Sequence, residues 1–183
     1  IYATHKLTAK AEPLLVRALE IYEQNSGPEH ADTGGALWQL GRLYQEERDY
    51  VKAEPYLIRE LAISAKTAGP DHPETATSLN NLAELYRAQG LYSKAEPLFQ
   101  RALAIYEKAL GPNHPDTATS INNLAFLYQD QRLYSKADPL YQRALAISEK
   151  VLGPDHPNTA ISLNNLAQLY ESQGVYKKAE PLY

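Results

Sequence analysis

Gly-Pro occurs at Gly27-Pro28, Gly69-Pro70, Gly111-Pro112 and Gly153-Pro154, and each step is 42 residues. Glu-Pro or Asp-Pro keeps the same step at Pro13, Pro55, Pro97, Pro139 and Pro181. With Pro73, Pro115 and Pro157, all 12 prolines belong to this period. Aligning residues 69–110 with residues 111–152 gives 31 identities in 42 positions. A repeat of this length means that one supersecondary unit is copied and that each copy completes its core on its neighbours. The units run over about 1–26 (partial), 27–68, 69–110, 111–152 and 153–183 (truncated). The spacing predicts one continuous array over 1–183.

Each unit reads as two helices. From Thr75 to Ala88, Leu79, Leu82, Ala83, Leu85 and Tyr86 give the i, i+3, i+4, i+7 stripe of an amphipathic helix. Either Asp71 or His72 caps it, the latter because a residue before proline resists the α region. Gly90 suits the left-handed position after its end, where Arg48 and Arg132 stand in two other units. The second helix is expected from near Ser93, in a Ser93–Glu96 capping box, to about Leu110. Its apolar face is Ala95, Leu98, Phe99, Ala102, Ile105, Tyr106 and Ala109. At the start of the chain, residues 1–5 read as the tail of a first helix, followed by a second helix from about Ala9 to Asn25. The last helix is cut at Tyr183. Neither helix buries its stripe alone, so stacked pairs in an all-α solenoid follow.

Composition removes other classes. Of 183 residues, 44% are hydrophobic and 22% charged, ordinary values for a globular chain. No apolar run is long enough to span a membrane, and no signal peptide is visible. A net charge of −4 and a pI near 5.7 disfavour nucleic acid as a partner. The absence of cysteine excludes a thiolate metal site or nucleophile. The absence of methionine, together with the incomplete first and last units, predicts a piece of a longer protein whose exposed ends self-associate.

The pattern resembles the tetratricopeptide repeat: Leu79, Leu82, Ala83, Tyr86, Ala95, Phe99 and Ala102 fall at that motif's packing positions, and Gly41 supplies its usual glycine. A 42-residue unit carrying Asn-Asn-Leu-Ala, Ala-Glu-Pro-Leu, Arg-Ala-Leu-Ala-Ile and Leu-Gly-Pro-Asp-His-Pro is similar to the kinesin light chain subtype, which also occurs in many bacterial proteins. The resemblance implies a right-handed α-α superhelix of antiparallel helix pairs and a cytoplasmic, non-enzymatic module. Its concave groove, lined by the first helices, would take an extended peptide or a partner protein. The coiled coil by which a light chain joins its motor is missing from this sequence, so only the recognition mode carries over.

By that resemblance the groove residues are Asn80, Asn81, Glu84 and Arg87 in one unit, Asn122, Asn123 and Phe126 in the next, and Asn164, Asn165 and Gln168 in the last. Trp38, Gln39 and Arg42 take these places in the unit that departs most. An asparagine amide can donate to and accept from an extended backbone, so Asn81, Asn123 and Asn165 form a candidate ladder. The alternative is that one asparagine of each pair orders the helix stack. Trp38, the only tryptophan, is either an anchor for a ligand or packing against the first partial unit. Arg42 and Arg87 are candidate partners for a ligand carboxylate.

No phosphate loop, zinc-protease helix or nucleophile elbow is present. His30, His72, His114 and His156 recur one per unit, too far apart to share a metal, and read as loop structure. The sequence therefore points to a binding module with no catalytic residue, no metal and no cofactor. The competing reading is a structural or self-associating scaffold within a larger protein.

Overall fold

The structure, a computed structural model, describes the backbone over residues 2–182 and side chains over residues 10–182. Among the described residues the regular elements are all helical: α1 (Tyr2–Asn25), α2 (Ala31–Glu46), α3 (Tyr50–Thr67), α4 (Pro73–Ala88), α5 (Tyr92–Ala109), α6 (Pro115–Asp130), α7 (Tyr134–Leu152), α8 (Pro157–Ser172) and α9 (Tyr176–Ala179), then a 3-10 turn over Glu180–Leu182. They form two compact units, Ile1–Leu91 and Tyr92–Tyr183. In the first, α2 packs against α1 and α3, and α3 against α4. In the second, α6 packs against α5 and α7, and α8 follows on α7. Consecutive helices thus pack in pairs, the all-α class that the period requires.

The expected core is buried: Leu79, Leu82, Ala83 and Tyr86 in α4, and Ala95, Phe99, Ala102, Ile105 and Tyr106 in α5. Ala109, placed on that face by periodicity, is exposed, because it closes the last turn. In the second unit Ala118, Ile121, Ala144 and Ile147 form one cluster, with Leu103 and Leu140 laid against it. Each large side chain buried there contributes about 1.5–3 kcal/mol. In the first unit Gly41 is required by contact. A Cβ built there would lie 2.6 Å from Leu57 Cδ2.

The loop before each first helix is the Gly-Pro segment. Gly27, Gly69, Gly111 and Gly153 hold φ between 94° and 114°, a region that a side chain strains. A buried threonine hydroxyl six residues on donates to each glycine carbonyl. These are Thr33, Thr75, Thr117 and Thr159, at 2.7, 2.7, 2.9 and 2.8 Å. The four histidines are the N-caps. Nδ1 of His30, His72, His114 and His156 accepts from the backbone N–H of Asp32, Glu74, Asp116 and Asn158 at 3.1–3.3 Å. His72 rather than Asp71 therefore caps α4, as the following proline favours.

Two expectations need correction. Helix α1 is continuous over Tyr2–Asn25, without a break between His5 and Ala9. Lys6, in the column where Gly90 turns the chain, lies within this helix. Ser93 is not a cap, since α5 starts one residue earlier, at Tyr92, as α7 does at Tyr134. The preceding turn, with Leu91 N–H and Leu133 N–H bonded to the carbonyls of Tyr86 and Tyr128 at 2.8 Å, delivers the chain straight into the helix. Leu133 caps α7 with no side-chain hydrogen bond. At the other end, four α-helical residues and the 3-10 turn follow Val175, while Ile1 and Tyr183 lie outside the described residues.

Arg48 and Arg132 adopt the left-handed conformation at φ 60° and 58°, where Gly90 and Gly174 sit at 73°. Arg48→Gly and Arg132→Gly are each expected to stabilise the protein by about 1 kcal/mol, read as a higher urea midpoint at unchanged slope. Gly41→Ala is expected to destabilise it by about 1–3 kcal/mol in the same measurement, because Leu57 must move.

Candidate binding faces of the two units

A tyrosine near the end of each first helix fixes that helix to the second helix of the preceding repeat. Tyr44, Tyr86 and Tyr128 donate their hydroxyls to Glu12, Glu54 and Glu96 at 2.7, 2.8 and 2.7 Å, and Tyr170 donates to Asp138 at 3.1 Å. These carboxylates are the residues before Pro13, Pro55, Pro97 and Pro139, so the Glu-Pro motif is an acceptor for the next repeat. Burial, helped by the carboxylate, pushes the Tyr86 hydroxyl up to about 12 and Tyr44 higher still. The ladder holds the remaining faces of α2, α4, α6 and α8 in register with the second helices.

In the first unit, Trp38 on α2 and Asn81 on α4 line the same cleft of ≈ 390 Å³. A neighbouring cleft of ≈ 420 Å³ adds Arg42 and Glu84 to the same pair. Trp38, Gln39 and Arg42 also line a third cleft, closed by Leu14 and Leu15 of α1. Trp38 thus lines a cleft with the first helix and also the cleft it shares with Asn81. In the second unit, Asn122, Asn123 and Asn165 line one cleft of ≈ 290 Å³ together with Thr119 and Ile161.

Asn80 Oδ1 and Asn122 Oδ1 are buried and accept no hydrogen bond. Asn122 nonetheless lines the same cleft as Asn123 and Asn165, and Asn81 lines that of Trp38. Asn164 and Gln168 are exposed, and Phe126 is half-buried. The two arginines are already engaged. The Arg42 guanidinium lies 5.2 Å from the centre of the Trp38 ring and 3.3 Å from Glu46. Arg87 binds Glu84 through two donors, Nε at 2.9 Å and Nη2. A carboxylate on a ligand would have to compete with these partners.

Glu60, not singled out by the helical stripes, belongs to the Trp38–Asn81 cleft. It stands where the other units have Ala18, Ala102 and Ala144, and that break in the column is the signal by which the sequence exposes it. Ser78 Oγ donates to its Oε1 at 2.6 Å. Burial pushes its carboxyl up from the ordinary carboxylate range, and the Ser78 hydrogen bond only partly offsets this.

These paired helices with polar faces on the first helix of each pair define a helical-repeat protein. A tetratricopeptide repeat family model matches residues 32–108, 82–137 and 116–183, and the chain belongs to that family. Its structural neighbours are kinesin light chain-like. A Podosopora anserina putative kinesin light chain with nearly identical tetratricopeptide-like repeats superposes at TM-score 0.79, with 30% identity over 99% of this chain and 86% of the other. A point variant of that same protein gives TM-score 0.81 and 29% identity, covering 99% and 85%. BtubC (BKLC) from P. vanneervenii gives 0.79 and 28%, covering 96% and 70%. No curated protein matches the chain significantly in sequence. Tetratricopeptide repeats are in general protein-interaction modules, and no described helix is long and apolar enough to cross a membrane.

A raised carboxyl makes Glu60 destabilising above its unfolded pKa, since the unfolded state releases its proton first. Glu60→Ala is therefore expected to raise thermal stability at pH 7, with the gain shrinking as pH falls through the ordinary glutamate range. The tyrosines act at the other extreme. Stability is expected to fall as pH rises above about 10, where only the unfolded tyrosines ionise. Tyr86→Phe should reduce that loss while costing about 1–2 kcal/mol near neutrality. Thermal melts across a pH series check both signs.

Proposed function

We propose that the protein is a non-catalytic, cytoplasmic interaction module whose first-helix faces bind an extended peptide or an extended segment of a partner protein. The observation that carries this reading is the placement of Asn123 and Asn165, one per repeat, along a single cleft of the second unit. Asn81 takes the equivalent place beside Trp38 in the first. An extended strand presents alternating N–H and C=O groups, and an amide that is not tied into its own helix stack can meet both. Trp38 supplies a large, two-faced apolar surface of the kind that dominates binding energy at interfaces. Asparagine in mid-helix costs roughly half a kcal/mol, and its recurrence is accounted for if the second member of each pair serves a ligand.

The binding faces carry mixed charge, with Arg42 and Arg87 neutralised by Glu46 and Glu84. This favours a segment held by its backbone over one held by a strongly acidic sequence. Peptides selected by display on the folded protein are expected to lose about tenfold or more in affinity when Asn81, Asn123 and Asn165 are all replaced by alanine, with helical content and melting temperature retained. Unchanged affinity in that triple variant, measured by calorimetry, removes the ladder. A dimer that strengthens with concentration and survives the triple substitution supports the scaffold reading instead.

A further inference from the structure

The first unit departs from its own repeat at one place in space. Gly35 stands where the other units carry Thr77, Thr119 and Ile161, and a Cβ built at Gly35 meets nothing within 4 Å. Trp38 stands where they carry asparagine, and Glu60 where they carry alanine. All three line the ≈ 390 Å³ cleft. Its floor holds a carboxylate with one oxygen satisfied, by Ser78, while Oε2 is buried and accepts nothing. Glu74 also lines the cleft, and no lysine, arginine or histidine does. The nearby cations are committed elsewhere, Arg42 to Glu46 and Trp38, Lys66 to Glu29.

From this we infer that the cleft is a receptor for a single arginine side chain carried by the bound segment, its guanidinium meeting the Glu60 carboxylate, which turns its unpartnered oxygen to it, and lying against Trp38. The inference rests on the peptide-binding reading and names the side chain that would give it selectivity. A buried acceptor without a donor is costly, and a charged donor in the cleft removes that cost. The guanidinium suits the site better than an ammonium. It is planar, so it can stack on an indole while donating in its own plane, and it sheds water more readily. Burial, which pushes the Glu60 carboxyl up in the empty cleft, turns to advantage once a cation enters, because the ionised form then has a partner. The missing side chain at Gly35 leaves the room.

Trp38 is the only tryptophan, so tryptophan emission reports on the clefts it lines, and the Glu60 variants assign the response to this one. The full chain is titrated with acetyl-Gly-Arg-Gly-amide and with the same peptide carrying neutral, isosteric citrulline. A saturable change with arginine, about tenfold weaker with citrulline, is expected. Glu60→Gln keeps the Ser78 hydrogen bond and should lower the affinity for the arginine peptide by a similar factor. Glu60→Ala, which restores the residue of the other units, should do the same without loss of folding. Equal responses to the two peptides, no saturation with arginine, or undiminished binding by both Glu60 variants overturns the inference. A display-selected peptide without a basic residue, whose binding falls in the asparagine triple variant but not in Glu60→Gln, overturns it too and leaves the peptide-binding reading standing. Arginine-dependent binding that needs Glu60, with affinity for selected peptides unmoved by the triple variant, supports the receptor and removes the asparagine ladder.

Discussion

The hydrogen bond from a first-helix tyrosine to the carboxylate before the proline of the previous repeat is the connection on which the rest of each unit depends. Tyr86 shows how much is tied together at one residue. Its ring is buried, its hydroxyl reaches Glu54 across 32 residues of sequence, and its backbone carbonyl accepts the bond that closes the turn after α4. Tyr128 does the same with Glu96 and Tyr170 with Asp138, adding a lysine over each ring at 4.9 and 5.1 Å. One residue thus takes part both in how a helix ends, through its backbone, and in where it lies on its neighbour, through its side chain. The charged acceptor makes the bond stronger than a neutral one and keeps the phenol protonated.

With the packing settled by a repeated ladder, the opposite sides of the first helices are released to vary. The core columns hold the same residues with few changes, while other columns of the first helices read Trp38, Asn80, Asn122 and Asn164, or Arg42, Glu84, Phe126 and Gln168. That contrast is what a binding scaffold needs: rigid elements presenting interchangeable side chains. The first unit takes this furthest. Gly41 lets Leu57 approach α2, Gly35 opens a cleft, and Glu60 puts a carboxylate at its floor. A site assembled from three departures within one repeat, each at a column that is otherwise alanine, asparagine, threonine or isoleucine, is a specialised version of a shared surface.

Legibility followed the range of the interactions. Helix existence, the φ > 0 turns at Arg48 and Arg132, and the burial of Leu79, Leu82 and Ala83 are local or periodic, so the residues themselves carry the signal. The Ser93 capping box was a sound local pattern that lost to the turn ahead of it, which starts α5 a residue early. The asparagine pairs were legible as a polar stripe and not as two different roles. Adjacent helical residues point about 100° apart, and only the neighbouring helix decides which of the two carbonyls is covered.

The chain by itself determined the copied helix pair, its all-α class and its packing columns. These follow from a period of 42 residues and from the 3.6-residue turn of the helix, which act wherever the segment lies. Tertiary structure alone decided the acceptor for each tyrosine, the burial of Asn80 Oδ1 and Asn122 Oδ1, and the cleft that Trp38 shares with Glu60. Those depend on which helices touch and at what height. Residues 22 positions apart in sequence share a cleft only because α2 and α3 return side by side.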